Sequence, residues 1–207
     1  DWVFEEILGM QFRTSRQVFA HVDCDCFFAS CEMLRDPSIA DKCVCVGGDI
    51  VIASNYKARK YGVKVWTPHW EAQSLIPKNL QVFLSPDICL YGRISDKIQN
   101  FLIQNSLSVE EIGIDENYVD ITGIPKCLKM SYEKYAEFLQ REILRITGIP
   151  VSIWVSNTRL RSKILSDINK PCGICVGIGK KDFFAQAGKL HFGEIPYIGR
   201  RLQKRFS

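Results

Sequence analysis

The sequence predicts an α+β fold in which a split βαβ sheet is interrupted by a long insertion. Short apolar runs with strand periodicity alternate with segments whose apolar residues recur at helical spacing. Their order is strand, a long excursion, helix, two paired strands, helix and strand. The chain has 207 residues, 46% of them hydrophobic, which is enough to bury one large core or two modest ones.

The first half of the chain contains the opening strand and the insertion. Proline after the first helical pattern and glycine after the second are typical stop signals, and a Gly-Gly-Asp turn between apolar runs predicts a hairpin. The predicted elements are a strand at QVFAHVDCD (17–25), a helix at FFASCEMLRD (27–36), a hairpin in KCVCVGGDIVIAS (42–54) and a helix at NYKARKYG (55–62).

The second half completes the split βαβ order. Residues 87–105 predict a helix whose core face consists of Tyr91, Ile94, Ile98, Phe101 and Leu102. The elements after it are paired strands at VEEIGID (109–115) and NYVDITG (117–123), a helix at SYEKYAEFLQREILRITG (131–148) and a strand at VSIWVS (151–156). This order predicts a ferredoxin-like, mixed or antiparallel sheet with helices on one face.

Composition bounds the compartment and the partners. The longest apolar runs are too short to cross a bilayer, and the start, DWVFEEILGM, is acidic where a secretory signal is basic. We therefore expect an intracellular protein with no membrane partner, cytoplasmic if bacterial and nuclear if eukaryotic. The nine cysteines follow no repeated spacing, which indicates reduced thiols. The net charge is only +4, but basic residues gather late in the chain, as a solvated face or a phosphate-binding surface.

Two adjacent carboxylates, Asp115 and Glu116, stand inside an apparent strand-turn-strand. A polar hairpin tip is the simplest explanation. However, the predicted topology makes the first strand a neighbour of this hairpin, so Asp23 can meet both acids. Consecutive strand residues face opposite sides, so both acids serve one site only where the strand turns. Three carboxylates together repel unless cations hold them, and such hard oxygen ligands suit Mg²⁺.

Basic and phenolic side chains provide candidate phosphate ligands. Tyr56 and Arg59 are three residues apart on a predicted helix, hence on one face. Lys163 and Lys170 are predicted to lie two helical turns apart, again on one face. Taken singly, each of these residues is equally well explained as an ordinary half-buried or solvated side chain. Together they favour a site for a nucleotide triphosphate.

Four motifs in order resemble the Y-family DNA polymerases of the DinB and UmuC type, which copy damaged templates. The similarity extends over about residues 18–206. The motifs are HVDCDCFFASCE (21–32), ASNYKARKYGVK (53–64), GIDENYVDITG (113–123) and SKILSDINKPCGI (162–174).

The resemblance implies an error-prone, template-directed polymerase that transfers a dNTP to a primer 3′-end with two Mg²⁺ ions, for which Mn²⁺ can substitute. Asp23, Asp115 and Glu116 are then the catalytic carboxylates, and the carbonyl of Cys24 completes the metal ligands. Primer-template DNA and dNTP are the implied partners, together with a sliding clamp reached through C-terminal regions absent here. The remaining implied roles are contacts to the incoming nucleotide by Phe27, Phe28, Tyr56, Arg59 and Lys170.

Within that resemblance, Phe28 is the steric gate that excludes a ribose 2′-hydroxyl, and Asp25 is structural rather than a metal ligand. The implied organisation is an N-terminal extension (1–17), a palm (18–29 and 86–177), inserted fingers (30–85) and a partial helix-hairpin-helix thumb (178–207). We accordingly expect a catalytic-core fragment or reduced relative. The departures from the family pattern are Trp154 and Tyr197 where glycine is usual and Ala53 where a hydroxyl is frequent.

Three alternatives accompany this interpretation. A zinc site at Cys172 and Cys175 lacks a second C-x-x-C, and the C-x-C pairs Cys24/Cys26 and Cys43/Cys45 are predicted to pack on strand faces. A nucleotide cyclase shares this type of sheet, and VGGDI (46–50) is similar to a diguanylate cyclase hairpin, but a cyclase leaves the Asp115–Glu116 hairpin unexplained. A non-catalytic interaction module with a polymerase-like fold is the third.

Overall fold

The computed structural model describes residues 17–190 and residues 195, 196, 198, 201 and 204. The strands are β1 (Phe19–Cys24), β2 (Cys43–Gly47), β3 (Val51–Ser54), β4 (Gln81–Leu84), β5 (Ser108–Gly113), β6 (Glu116–Asp120), β7 (Val151–Ser156) and β8 (Ile174–Gly177). The helices are α1 (Phe27–Arg35), α2 (Tyr56–Lys60), α3 (His69–Leu75), α4 (Ile88–Gln104), α5 (Ile124–Cys127), α6 (Tyr132–Thr147), α7 (Arg159–Ile164) and α8 (Gly179–Ala187).

The strands form two sheets. The large sheet has five strands in the order β5-β6-β1-β7-β8, antiparallel except for the parallel pair β7 and β8. The small sheet has the order β3-β2-β4 and lies in the insertion. The α+β prediction with a split βαβ core and an inserted subdomain is confirmed. The predicted boundary between residues 29 and 30 falls inside α1, which packs against both α4 and the small sheet.

The main core lies between the large sheet and the helices α4 and α6. Alternate residues of β1 and β7, including Ala20, Val22, Ile153 and Val155, pack on these helices. The predicted core face of α4 is confirmed, since Tyr91, Ile94, Ile98 and Leu102 are buried and Phe101 is partly buried. Side-chain caps define the helix starts: Asp87 accepts a hydrogen bond from the Leu90 amide, and Ser131 accepts one from the Lys134 amide.

The opposite face of the large sheet bears a second apolar cluster that the sequence did not predict. The cluster centres on Trp154, which points away from Ile153 and Val155, and it includes residues of α7 and α8. Ile195 and Ile198 are also buried in it. Helices therefore cover part of this face too, and the uncovered part carries Asp23.

The predicted hairpin at Gly47 and Gly48 is confirmed, with a register shift between Val46 and Gly47. A Cβ atom on Gly47 would lie 2.1 Å from the carbonyl oxygen of Ile50, so only glycine fits. Cys43 and Cys45 pack in the core of the small sheet as predicted. Cys26, in contrast, lies beyond the end of β1 with a left-handed φ of 50°.

All nine cysteines are free thiols. In the described part of the chain, no helix combines the length and apolarity needed to cross a membrane. Residues 1–16 of the predicted N-terminal extension (1–17) and Tyr197 lie outside the described residues.

Candidate active site

The three predicted carboxylates meet where the neighbouring interior strands β1 and β6 end and begin, respectively. Asp23, near the end of β1, pairs in register with Glu116, the first residue of β6. Asp115 lies on the turn between β5 and β6, and its carbonyl oxygen accepts a hydrogen bond of 2.9 Å from the Cys24 amide. Because the chain turns at Asp115, consecutive acids do not have to point to opposite faces of the sheet.

Glu116 is held by two side chains. Its Oε2 atom lies 3.2 Å from Nε2 of His21 and 2.5 Å from Nζ of Lys163. The hydrogen bond from His21, followed by the contacts with Lys163, lowers the pKa of Glu116 to about 2. His21 is fully buried, and burial lowers its pKa below the ordinary value. A neutral imidazole that donates through Nε2 therefore meets an ionised carboxylate.

Asp23 and Asp115 have different electrostatic environments. Nζ of Lys170 donates to Oδ1 of Asp23 at 2.9 Å, and the same ammonium lies 5.1 Å from the centroid of the Trp154 ring. Burial, and then the charges of Asp23 and Glu116, raise the pKa of Asp115 above its ordinary value. Negative charge is thus concentrated at Asp115 beyond what the nearby lysines neutralise.

The donor set fits a hard divalent cation. Three carboxylates converge, and the crowding of like charge that raises the pKa of Asp115 is the condition that a cation relieves. Among the described residues, one group of potential ligand atoms, from His21, Asp23 and Glu116, lies within 4.8 Å of one another. His21 already uses Nε2 on Glu116, so we assign it to the support of that carboxylate. Cys24 is buried, which leaves its backbone as the candidate ligand.

A pocket of about 220 Å³ opens beside the carboxylates. Asp23 and Asp115 line one side of it. The five residues predicted to contact a nucleotide all line it as well: Phe27, Phe28, Tyr56, Arg59 and Lys170. The pocket therefore brings together residues that are up to 147 positions apart in sequence, from Asp23 to Lys170.

The two adjacent phenylalanines differ in burial. Phe27 is only 2% exposed and belongs to the main core, whereas Phe28 is half-buried. The Phe28 ring stacks on Tyr91, with ring centroids 4.3 Å apart and planes at 16°. The Tyr91 hydroxyl in turn donates to Oε1 of Glu32 at 2.7 Å. Phe28 thus presents a ring to the pocket on a rigid aromatic support.

Tyr56 and Arg59 share one face of α2, as predicted. The guanidinium carbon of Arg59 lies 4.9 Å from the Tyr56 ring centroid, and its Nε donates to the Ser54 carbonyl at 3.1 Å. The Tyr56 hydroxyl donates to Oδ1 of Asp25 at 3.1 Å. Burial raises the pKa of Tyr56, so the phenol keeps its proton at neutral pH.

Asp25 is buried and accepts hydrogen bonds from several elements. Besides the Tyr56 hydroxyl, its carboxylate accepts from the Ser152 hydroxyl at 3.0 Å and from the Cys172 amide at 2.8 Å. It therefore joins β1, α2, β7 and the segment before β8. These protein donors occupy its carboxylate oxygens, which is consistent with the structural role expected for it.

The predicted helical relation between Lys163 and Lys170 is wrong. Helix α7 ends at Ile164, a 3₁₀ turn covers Leu165–Asp167, and Lys170 follows in a loop. Pro171 disfavours a helical conformation at Lys170. Both ammonium groups nevertheless reach the carboxylates, one on Glu116 and the other on Asp23.

Sequence reasoning missed His21 and the supporting roles of Trp154 and Ser152. His21 lies two residues before Asp23 on one strand, so strand alternation alone places both on the same face. The Trp154 ring lies 5.5 Å from the His21 ring, and its Nε1 donates to the Ile168 carbonyl at 2.9 Å. Trp154 therefore supports both His21 and the loop that leads to Lys170.

Comparison with known sequences identifies the family. Residues 22–167 match the profile of the impB/mucB/samB family. The chain belongs to the impB/mucB/samB family. DNA polymerase IV 1 of Halalkalibacterium halodurans is 35% identical over 191 residues, which cover 89% of this chain and 45% of that protein. DNA polymerase IV of Nitrosopumilus maritimus is 34% identical over 203 residues, which cover 93% of this chain and 55% of that protein.

Solved structures of this family agree with the fold. DinB from Sulfolobus solfataricus is 29% identical and superposes with a TM-score of 0.79, covering 91% of this chain and 56% of that one. An insertion ternary complex of Dbh DNA polymerase gives a TM-score of 0.78 at 28% identity, with coverage of 91% and 56%. The Y-family resemblance is confirmed. The chain spans about half the length of the curated relatives it matches.

The alternative based on a cyclase hairpin does not fit the impB/mucB/samB fold seen here. The segment 46–50 joins β2 and β3 of the small sheet, whereas all three carboxylates belong to the large sheet.

Proposed function

We propose that this chain is the catalytic core of an error-prone, template-directed DNA polymerase that adds a dNTP to a primer 3′-end. One observation carries the proposal. Two carboxylates, Asp23 and Asp115, line a pocket beside their neighbour Glu116, and the same pocket is lined by two basic residues, a phenol and two phenylalanine rings. This combination suits a polyanionic nucleotide beside a cation site. Membership of the impB/mucB/samB family supports the same assignment.

Asp23, Asp115, Glu116 and the Cys24 carbonyl would hold two Mg²⁺ ions, or Mn²⁺ in their place. When bound, such ions supply positive charge that stabilises the attacking and leaving oxygens of a phosphoryl transfer. The protein keeps Glu116 ionised and oriented through His21 and Lys163. The carboxylate is therefore in its metal-binding form throughout the neutral pH range, since its pKa is about 2.

The remaining pocket residues position the nucleotide. Arg59 and Lys170 carry the positive charge, and Tyr56 the hydroxyl, that a triphosphate requires. In the proposed reaction the primer 3′-oxygen bonds to the α-phosphorus as the bond to pyrophosphate breaks. Phe28, whose ring stacks on Tyr91, would crowd a ribose 2′-hydroxyl and thereby select deoxynucleotides.

The wall opposite the carboxylates supports low fidelity. It consists of the apolar side chains of Ile52 and Ala53 on β3 and of Val65 on the turn after α2, and Val65 is exposed to solvent. A wall of this kind makes few contacts that penalise a distorted base pair. We infer that damaged or mispaired templates are accommodated, which is the function of a translesion polymerase.

The test is single-nucleotide primer extension with Mg²⁺ at low salt, with protein in excess over an undamaged primer-template. Glu116→Gln is the matched variant, since it keeps the side-chain shape. Templated addition by the wild type that the variant loses supports the proposal. Wild-type protein that binds primer-template and dNTP but adds nothing contradicts it and indicates the non-catalytic interaction module instead.

A further inference from the structure

Trp66 is an exposed tryptophan on a strained backbone. Its side chain is 70% exposed, and its φ is 72°, a left-handed value that bulky residues avoid. The Thr67 amide donates to the Lys64 carbonyl at 3.1 Å, which closes a turn with Trp66 at its third position. Glycine is the usual residue at a turn position with positive φ. The chain thus has a large side chain at a position where the backbone conformation favours glycine. Backbone strain of this kind is concentrated at functional sites.

The backbone beneath this ring is held in place. The Trp66 amide donates to the Val51 carbonyl at 2.8 Å, and the Val51 amide donates to the Thr67 carbonyl at 2.9 Å. The turn is therefore hydrogen-bonded to Val51 at the start of β3, immediately before the pocket residues Ile52 and Ala53. Solvent exposure of Trp66 does not reflect a loose segment. The ring projects into solvent from a fixed position.

This position adjoins the nucleotide pocket. Val65, the residue before Trp66, lines the pocket together with Ile52 and Ala53. Trp66 consequently lies at the rim of the apolar wall formed by Ile52, Ala53 and Val65. A base pair that forms inside the pocket has this wall beside it, and the next unpaired base of a template would meet the rim.

Exposed basic residues precede the ring in the sequence. Lys60 and Lys64 stand six and two residues before Trp66, and neither forms an ion pair with any residue in the described part of the chain. Arg59, also exposed, is one residue away from Lys60 and lines the pocket. An aromatic face among cations is the surface that single-stranded nucleic acids prefer, because bases stack while phosphates meet the charges.

We propose that Trp66 stacks on an unpaired template base next to the pair that forms in the pocket. This inference rests on the proposed polymerase function and assigns a template contact to a residue outside the pocket. The base face is the ligand, and Lys60 and Lys64 contact the adjoining phosphates. Stacking on any base is possible because each has a π face, so the contact holds the template without reading its sequence.

The experiment compares two primer-templates whose single-stranded template overhangs are equal in length and charge. In one, all overhang positions carry bases. In the other, every position beyond the templating base is abasic. Affinity of the full chain for each is measured by fluorescence anisotropy at low salt. We expect the wild type to bind the overhang with bases about tenfold more tightly, the scale of a base stacked on an aromatic side chain.

Two substitutions at the same position separate stacking from general apolar contact. Trp66→Phe keeps an aromatic face and should retain at least half of the wild-type preference for bases, on a logarithmic scale. Trp66→Leu keeps apolar bulk without a π face and should bind both overhangs equally. Trp66→Gly removes the backbone strain and serves as a second ring-free variant if the leucine variant does not fold. Trp70→Leu is the control, because Trp70 is 71% exposed but lies on α3 outside the pocket lining.

The outcomes are distinguishable from those of the proposed function. A wild-type preference for bases that is lost in Trp66→Leu and kept in Trp70→Leu supports the inference. Equal preference in wild type and Trp66→Leu overturns it, as does a Trp66→Leu variant that behaves like Trp66→Phe, which would indicate an apolar partner instead. If the wild type extends primers while showing no preference, the polymerase assignment stands and the stacking contact alone is rejected.

Discussion

The two walls of the pocket are built differently. The carboxylate wall consists of Asp23 and Asp115, backed by Glu116, on strands that have partners on both sides or on the tight turn between them. The opposite wall consists of α2, β3 and the turn at Val65, and its charged and aromatic groups reach solvent. The proposed metal ligands are thus placed on the central strands and their turn, and the groups proposed to meet nucleic acid are placed on short, exposed elements.

The strongest test of this difference is to remove the carboxylates one at a time. Glu116→Gln and Asp115→Asn should each reduce nucleotide addition by about a hundredfold or more, because each removes a charge from the proposed cation site. Their effects on stability should have opposite signs. Thermal unfolding in metal-free buffer at pH 7, beside single-turnover extension, measures both.

The signs follow from the two pKa shifts. The pKa of Glu116 is lowered to about 2, so its ionised form stabilises the fold above its ordinary value of 4.5, and this contribution is lost as pH falls from 4.5 towards 2. Glu116→Gln should therefore destabilise at pH 7 by about 1 to 3 kcal/mol. The pKa of Asp115 is raised, so its charge opposes folding at neutral pH, and Asp115→Asn should stabilise. Equal signs for the two variants would contradict the electrostatic account.

Phe28 lies between the two walls, and its substitution should change selectivity more than stability. Phe28→Ala should raise ribonucleotide insertion relative to deoxynucleotide insertion by about tenfold or more, because the ring no longer crowds the 2′-hydroxyl. The ratio of the two kcat/KM values measures this. Phe27→Leu is the matched control, since Phe27 is buried: it should lower stability by about 1 kcal/mol and leave the ratio unchanged. If only the Phe27 variant showed a raised ratio of ribonucleotide to deoxynucleotide insertion, Phe27 rather than Phe28 would be the residue that excludes the 2′-hydroxyl.

His21 tests whether support behind the carboxylate wall matters. His21→Leu removes the hydrogen bond to Glu116, so the pKa of Glu116 should rise from about 2, while nucleotide addition falls by about tenfold. Carboxyl titration followed by carbon NMR measures the pKa separately from activity. His21→Gln, which can still donate to Glu116, should recover part of both. An unchanged Glu116 pKa in the leucine variant would mean that Lys163 alone sets it.

The smallest effect is expected on the opposite wall. Tyr56→Phe removes one of the donors to Asp25, while Ser152 and the Cys172 amide remain. The loss should cost about 1 kcal/mol of unfolding free energy and raise the KM for nucleotide a few-fold. Chemical denaturation and steady-state kinetics measure the two quantities. An effect on kcat larger than that on KM would place Tyr56 in the chemical step rather than in nucleotide binding.

Much of the carboxylate wall could be predicted from the sequence. The pairing of Asp23 with Glu116 followed from strand order, since the first strand and the hairpin are neighbours in a split βαβ sheet. Strand alternation also places His21 on the same face as Asp23. The packing of Trp154 under His21 and Lys170 could not be predicted, because it depends on how α7 and α8 dock on the sheet. Periodicity within one segment contains no information on such long-range packing.

Lys170 shows why spacing can mislead outside regular elements. A separation of seven residues suggested one helical face with Lys163, yet the helix ends six residues before Lys170. Asn169, with a left-handed φ of 63°, and Pro171 flank it. These residues favour a loop, and they are stronger evidence than the seven-residue spacing of two lysines.

The buried carboxylate of Asp25 has a consequence for the order of folding. It contacts Ser152 and the Cys172 amide across separations of 127 and 147 residues, so these contacts form only after most of the chain has collapsed. Tyr56 depends on the same carboxylate. The pocket should therefore be among the last features to assemble. A nucleotide bound there as proposed would select only fully folded chains, and its binding energy would add to the stability of both sheets at once.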